Sequence, residues 1–187
     1  MTPTVLLVPG YLNSAPGHWQ SLWEEEHPEF RRVMQRDWEA PDRQEWIQTL
    51  DQAIYTSAAP VVLAGHSCGS VAIALWGEQW RGRWGEQHNS CPVIGALLVA
   101  PADCEAADAI PAIQPLAPMP RTPLPFPSIV VASSNDPYIR LPRAQAFAQA
   151  WGSRLQVLQG AGHITTDSGY GDWAEGKQWL QELMNGK

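Results

Sequence analysis

The chain has little cysteine and histidine, and neither residue is spaced for a metal site or a disulfide framework. It contains three cysteines and five histidines among 187 residues, with no Cys-x-x-Cys and no His-x-x-x-His pair. Free thiols in a reducing cytoplasm are the simplest interpretation of an odd number of cysteines. We therefore expect no metal and no cofactor.

Long apolar runs and basic clusters are also missing. No apolar run approaches the roughly 20 residues that span a bilayer. The first one, Val5–Val8, follows no basic segment and is too short for a secretory signal. The net charge is −7 and the neighbouring arginines form only isolated pairs, which argues against a nucleic-acid partner. We expect a cytoplasmic protein with no membrane partner.

Short β-branched runs alternate with longer amphipathic stretches along the whole chain. Continuous apolar strands separated by helices predict a mainly parallel sheet of about six strands, covered on both faces in a three-layer α/β/α arrangement. The length suits one domain over residues 1–187. The predicted strands are Val5–Val8, Arg32–Gln35, Val61–Ala64, Val93–Val99, Ile129–Ala132 and Leu155–Leu158. The predicted helices are His18–His27, Gln44–Tyr55, Ser67 to about Trp80, Pro142–Trp151 and Trp173–Met184.

One segment departs from this alternation. Residues 101–128 contain eight of the seventeen prolines. They form either a rigid connector across the surface or a short lid over a functional pocket, since long loops without regular structure are often functional. The chain is too short for a large cap domain.

The most informative motif follows the predicted strand Val61–Ala64. Residues 65–69 read Gly-His-Ser-Cys-Gly and precede a helical pattern. This is the Gly-x-Ser-x-Gly pattern of a nucleophile elbow, a sharp turn that exposes the serine hydroxyl beyond the end of a strand. The pattern alone occurs by chance, and the strand and helix around it supply the confirming context. It predicts a serine hydrolase.

The register of the motif distinguishes Ser67 from the neighbouring Cys68 as the attacking group. The residues two positions on either side of the apex must be small, because the chain folds back on itself there. With Cys68 at the apex, those positions near the turn would hold His66 and Ser70, whereas with Ser67 they hold glycines. We therefore predict Ser67 as the nucleophile and the backbone N–H of Cys68 as an oxyanion donor.

A serine hydroxyl needs a base, and the base needs an acid that holds its tautomer. In an α/β-hydrolase the acid and then the histidine follow the serine, each beyond the end of a strand. Asp136 follows the strand Ile129–Ala132, and His163 lies in a glycine-rich loop after the last strand. Asp103, which follows the preceding strand, is the alternative acid.

The second oxyanion donor is expected from the loop after the first strand. This loop reads Pro-Gly-Tyr-Leu-Asn at residues 9–13. The backbone N–H of Tyr11 or of Leu12 can serve, and side-chain identity does not distinguish them.

These motifs resemble those of the small serine hydrolase family typified by retinoblastoma-binding protein 9 (YdeN-like), a compact branch of the α/β-hydrolase superfamily. Many members carry His-Gly where this chain has Pro9-Gly10. The resemblance covers nearly the whole chain and implies a compact α/β-hydrolase fold, with a catalytic triad of Ser67, Asp136 and His163. It is carried by Val8-Pro9-Gly10-Tyr11, His18-Trp19, Gly65-His66-Ser67-Cys68-Gly69, Ser134-Asn135-Asp136-Pro137, Gly162-His163-Ile164 and Ser168-Gly169-Tyr170-Gly171-Asp172-Trp173.

We accordingly expect a serine esterase that cleaves a small ester through an acyl-enzyme. The alternatives are an amidase or short-peptide hydrolase, and a protein-binding module on a hydrolase scaffold with little activity. Most of the ten tryptophans are expected in the core. Trp19 and Trp173 lie near the active-site loops in the sequence and are candidates for the wall of an apolar acyl pocket.

Overall fold

The computed structural model describes residues 2–57, 60–84 and 91–186. Six parallel strands form one sheet in the order β2-β1-β3-β4-β5-β6. The predicted three-layer arrangement is confirmed. The strands are β1 (Thr4–Val8), β2 (Phe30–Arg32), β3 (Val61–His66), β4 (Val93–Val99), β5 (Ser128–Ser133) and β6 (Arg154–Leu158). The helices are α1 (Trp19–Glu26), α2 (Arg43–Tyr55), α3 (Cys68–Trp84), α4 (Leu141–Trp151) and α5 (Ala174–Met184), with 3₁₀ turns at Pro111–Leu116 and Thr166–Ser168.

The sheet separates two hydrophobic cores. Helices α2, α3 and α4 cover one face, and α1 and α5 cover the other. Alternate residues of one strand serve opposite cores: in β1, Leu6 and Val8 pack under α2 and α3, while Val5 and Leu7 pack under α1 and α5. Because both faces are covered, the central strands are apolar along nearly their whole length.

The predicted second strand is misplaced. We expected Arg32–Gln35, whereas β2 is Phe30–Arg32 and pairs with β1 from Val5↔Phe30 to Leu7↔Arg32. The sequence does not predict this strand, because two adjacent arginines interrupt the apolar pattern. An edge strand tolerates them, since Arg31 is exposed while Phe30 is buried. The other predicted elements are present, with ends that differ by a few residues.

The proline-rich segment 101–128 is packed against the body of the protein. Its apolar side chains Leu116, Met119, Leu124 and Phe126 join the core on the α3 side of the sheet. Ile113 is also buried there, near the catalytic edge of the sheet. The segment thus packs against the core and also contributes to the surface around the predicted nucleophile.

The parallel strands bring the predicted site residues to one edge. The loop after β1, the turn after β3 and the loops after β5 and β6 all leave the carboxyl ends of their strands, where ligands of such sheets bind. No helix in the described ranges is long and apolar enough to cross a membrane.

Candidate active site

Ser67 occupies a strained turn between β3 and α3. Its φ is +53°, a left-handed value that is uncommon for a residue with a side chain. The Ser67 N–H donates to the carbonyl O of Val99 at 2.9 Å, which ties the turn to the end of β4. The geometry is that of the predicted nucleophile elbow.

Three glycines make this turn possible because the backbones approach too closely for a Cβ. A Cβ at Gly65 would lie 2.8 Å from the backbone N of Ser70, and one at Gly10 would lie 3.0 Å from the carbonyl O of His66. A Cβ at Gly69 would lie 1.9 Å from the carbonyl O of Val8. The small residues of the motif therefore allow α3 to pack against the end of β1.

Two glycine substitutions in α3 should have opposite effects on stability. Gly69→Ala should lower the free energy of unfolding by at least about 3 kcal/mol, since the backbone of Val8 must move. Gly82→Ala meets nothing within 4 Å and should raise it by about 0.5–1 kcal/mol through helix propensity. Urea unfolding of both variants measures the difference. Equal midpoints would contradict the packing at Gly69.

Asp136 and His163 meet as the predicted acid and base. Nδ1 of His163 lies 3.0 Å from each carboxylate oxygen of Asp136, and the Asp136 side chain is completely buried. A carboxylate only accepts, so Nδ1 carries the proton and Nε2 keeps its lone pair. Oδ1 of Asp136 also accepts from the N–H of Tyr138 at 2.9 Å, which orients the carboxylate.

The alternative acid, Asp103, is engaged elsewhere. Its carboxylate accepts from Nε of Arg143 at 2.7 Å and from Nη2 of the same residue at 2.9 Å. Arg143 also binds Glu105 at 2.8 Å, and these carboxylates raise the pKa of the Arg143 guanidinium. Asp103 thus serves an ion-pair network, and His163 faces Asp136.

Residues just before Asp136 join the loop after β5 to the loop after β6. Oδ1 of Asn135 accepts from the N–H of Gly162 at 2.8 Å, and Oγ of Ser134 accepts from the N–H of Gly160 at 2.9 Å. Each bond reaches across from the end of β5 to the end of β6. They fix the distance between the two loops that carry the Asp136–His163 pair.

Two further donors hold the backbone at His163. His66 contacts the carbonyl O of His163 through Nε2 at 2.8 Å, and because that oxygen only accepts, His66 carries its proton on Nε2. Burial, then the neighbouring His163 and His18, keep the pKa of His66 well below its ordinary value. Nε1 of Trp19 donates to the carbonyl O of Ile164 at 3.2 Å. The sequence showed only that both residues were near the motifs.

Trp19 and Trp173 do not line the cleft at Ser67, which disagrees with the acyl-pocket role expected for them. Both are buried in the core on the α1 side of the sheet, with ring centroids 5.6 Å apart. The pattern of helix-face tryptophans allowed both interpretations. The core position is the observed one, and Trp19 contacts the loop of His163 through its hydrogen bond to Ile164.

His18 was not among the predicted site residues, yet it lies in the cleft with Ser67 and His163. Its Nδ1 accepts from the N–H of Gln20 at 3.2 Å and caps α1. Burial is the main cause that lowers its pKa to about 4, and Arg32 and His163 act in the same direction. The folded protein therefore holds His18 neutral at neutral pH.

The buried neutral His18 predicts a loss of stability in acid. An unfolded chain binds a proton at His18 below about pH 6.5, whereas the folded protein does so only near pH 4, so protons favour unfolding in this window. His18 should contribute up to about 3 kcal/mol to the free energy of unfolding above pH 6.5, and this contribution is lost as the pH falls to about 4. Urea unfolding at several pH values measures this. His18→Asn keeps a capping oxygen and should weaken the dependence of the unfolding free energy on pH. An unchanged dependence would contradict the role of His18.

The two candidate oxyanion donors of the first loop differ in their hydrogen bonds. The N–H of Leu12 already donates to the carbonyl O of Trp38 at 2.9 Å. The N–H of Tyr11 makes no backbone–backbone hydrogen bond within the described ranges, and it faces the Cys68 thiol. Cys68 is the first residue of α3, so its N–H lies at the positive end of a helix.

These groups surround a cleft of about 190 Å³, which we call the Ser67 cleft. The remaining walls come from the apolar side chains of Ala102, Ile110 and Ile113, from Tyr138, and from the polar residues Asn13 and Thr165. Within the described ranges, no three His, Cys, Asp or Glu side chains are grouped so that they could hold a metal ion.

The family model described as serine hydrolase matches residues 5–182. The chain belongs to the serine hydrolase family. The resemblance noted in the sequence is thereby confirmed. No match was found among curated protein sequences.

Solved structures of similar proteins support the same fold. A protein from Pectobacterium atrosepticum described as a YdeN-like hydrolase is 33% identical, with 98% of this chain and 91% of that chain covered and a TM-score of 0.84. The ydeN gene product of B. subtilis is 20% identical, with 98% and 100% covered and a TM-score of 0.77. Carboxylesterase CesB from Bacillus subtilis is 14% identical, with 100% and 85% covered and a TM-score of 0.63. This serine hydrolase thus has the α/β-hydrolase fold with no large cap domain among its described residues.

Proposed function

We propose that this serine hydrolase is a carboxylesterase that cleaves small esters with Ser67, His163 and Asp136 as its catalytic triad. The observation that carries the proposal is the Asp136–His163 pair at 3.0 Å. It opens onto the same cleft as Ser67, which sits on its strained turn.

In the acylation step, Oγ of Ser67 attacks the carbonyl carbon of the ester and Nε2 of His163 takes the hydroxyl proton. Asp136 stabilises the imidazolium through Nδ1–H and keeps its own carboxylate ionised. When the C–O bond of the tetrahedral intermediate breaks, His163 returns the proton to the leaving alkoxide. The alcohol departs, and the acyl group stays on Ser67.

In the deacylation step, His163 takes a proton from water as the water oxygen attacks the acyl carbon. The second tetrahedral intermediate collapses, the proton passes to Oγ of Ser67, and a carboxylic acid leaves. Both intermediates carry an oxyanion, which we assign to the N–H groups of Cys68 and Tyr11, because the Leu12 N–H is already bonded to Trp38. Such fixed donors supply much of the rate in acyl transfer.

The proposal is tested with p-nitrophenyl esters of increasing acyl length and with the matched amide p-nitroacetanilide. Acetate and butyrate esters should be cleaved with a kcat/KM at least tenfold above that of the decanoate, since the Ser67 cleft is smaller than the roughly 300–1,000 Å³ of pockets that enclose larger ligands. The amide should be slower, because amide nitrogen is a poorer leaving group. Absence of turnover for every ester would refute the esterase function, and a faster amide would make the protein an amidase.

A further inference from the structure

A second and larger depression adjoins the Ser67 cleft. It has a volume of about 800 Å³, against about 190 Å³ for the cleft, and the two share Ile110, Ile113 and Tyr138 as walls. We call it the outer groove. Only a short part of a substrate fits beside Ser67, so a larger substrate must extend past these shared walls.

The part that extends into the outer groove is the leaving group. The general acid must reach the leaving-group oxygen, so the alcohol side of the ester lies next to His163. The ring of Tyr138 packs edge-on against the ring of His163, with centroids 4.5 Å apart. Tyr138 also forms a wall of the groove, so a leaving group that passes His163 enters the groove.

Most of the charge in the outer groove is internally neutralised. Arg143 binds the carboxylates of Asp103 and Glu105 at 2.7–2.9 Å. Glu105 is paired a second time with Arg121, at the edge of the segment that forms the wall. Two carboxylates are thus matched by two guanidinium groups, and this network presents little net charge to a ligand.

Two exposed side chains of opposite sign remain in the groove. Asp108 and Arg140 both line it, and neither side chain has an ion pair or hydrogen bond within the part of the chain that the structure describes. An anionic ligand would be attracted by Arg140 but repelled by Asp108, and a cationic one the reverse, so the pair favours neither sign of net charge. A neutral ligand with several hydroxyl groups can donate to the carboxylate and accept from the guanidinium.

The entrance adds an apolar surface to these polar groups. Tyr138 is 41% exposed there, and Ile110 of the proline-rich segment also lines the groove. The aromatic ring of Tyr138 beside these hydrogen-bonding groups suits a ligand whose own ring has C–H groups on its face and hydroxyl groups at its edge. A neutral sugar has that combination, whereas an alkyl chain would leave the charged groups unused.

On the basis of the esterase function, we propose that the outer groove binds a neutral, hydroxyl-rich leaving group. The substrates are then short-chain acyl esters of a polyol such as a monosaccharide. Asp108 and Arg140 determine the preference by hydrogen bonding to the hydroxyl groups, and the Ser67 cleft accepts only the short acyl group.

The test compares four acetate esters by release of acetate: glucose 6-acetate, hexyl acetate, the cationic acetylcholine and the anionic acetoxyacetate. We expect kcat/KM for glucose 6-acetate to exceed that for hexyl acetate about tenfold, with both charged esters below it. A hexyl, cationic or anionic ester that is cleaved as well as or better than the glucose ester overturns the proposal. p-Nitrophenyl acetate separates the failure of the esterase function from the failure of the groove assignment. Absence of turnover refutes the esterase function, and turnover without a preference for the glucose ester refutes only the binding of a polyol in the outer groove.

Variants locate the preference. Asp108→Ala and Arg140→Ala should each lower kcat/KM for glucose 6-acetate at least about threefold more than kcat/KM for p-nitrophenyl acetate, because each removes a group that hydrogen-bonds to the hydroxyls of the sugar. Arg31→Ala removes an exposed arginine on β2, away from the groove, and is the matched control. Equal losses for both substrates, or a loss in Arg31→Ala, would overturn the assignment.

Discussion

Ser67→Ala should reduce kcat for ester hydrolysis by roughly 10⁴- to 10⁶-fold, as expected when the nucleophile of a triad is removed. Alanine keeps the Cβ of serine and places the same demand on the positive φ of the turn, so the fold should be retained. A fluorophosphonate probe should label the wild-type protein and fail to label Ser67→Ala. Circular dichroism and urea unfolding of both proteins show that the loss is chemical.

The matched control is Cys68→Ala. The thiol of Cys68 needs the comparison, because the neighbouring Cys104 thiol lowers its pKa although burial opposes this effect. If Cys68 contributes only its backbone N–H, Cys68→Ala should keep kcat within about tenfold. Labelling that survives Ser67→Ala and disappears in Cys68→Ala would show that the thiol attacks instead.

Asp136→Asn should lower kcat by about 10⁴-fold, the loss seen when the acid of a triad becomes an amide. An asparagine has nearly the same shape, but its amide can donate to Nδ1 of His163 and favour the tautomer that holds the proton on Nε2. That tautomer cannot accept the proton of Ser67. The measurement is the pre-steady-state or steady-state rate with p-nitrophenyl acetate.

Asp103→Asn provides the comparison for the acid. Asp103 is buried and paired with Arg143, so this variant should lose stability while its rate falls less than about tenfold. A larger rate loss in Asp103→Asn than in Asp136→Asn would show that the acid is Asp103. Unfolding curves separate the effect on stability from the effect on rate.

The parts of the site that could be predicted from the sequence are those that directly follow a predicted strand. Gly65 and Gly69 could be recognised because their missing side chains are a local steric requirement of the turn at Ser67. Asp136 and His163 could be placed because parallel strands end at one edge of the sheet. The structure adds the 3.0 Å contact between them, and it shows that Asp103 is bonded to Arg143 instead.

Other predictions failed because the deciding contact is distant in sequence. Trp19 has the same pattern whether it faces a pocket or the core, and its bond to Ile164 spans 145 residues. The strand Phe30–Arg32 has only a weak apolar pattern in the sequence, because it lies at the edge of the sheet and has only one neighbouring strand. The role of His18 depends on burial by several elements, which no local pattern reports.

The sequence by itself determined the alternation of strands and helices, the tight turn at Ser67 and the chain order of the proposed nucleophile, acid and base. These follow from periodicity and from the steric limits of a tight turn, which are local properties. Only the tertiary structure places Asp136 rather than Asp103 against His163, buries Trp19 in the core and bonds the N–H of Leu12 to Trp38. Those choices depend on which distant segments meet at the edge of the sheet, and hydrogen-bond partners and burial exist only after the chain has folded.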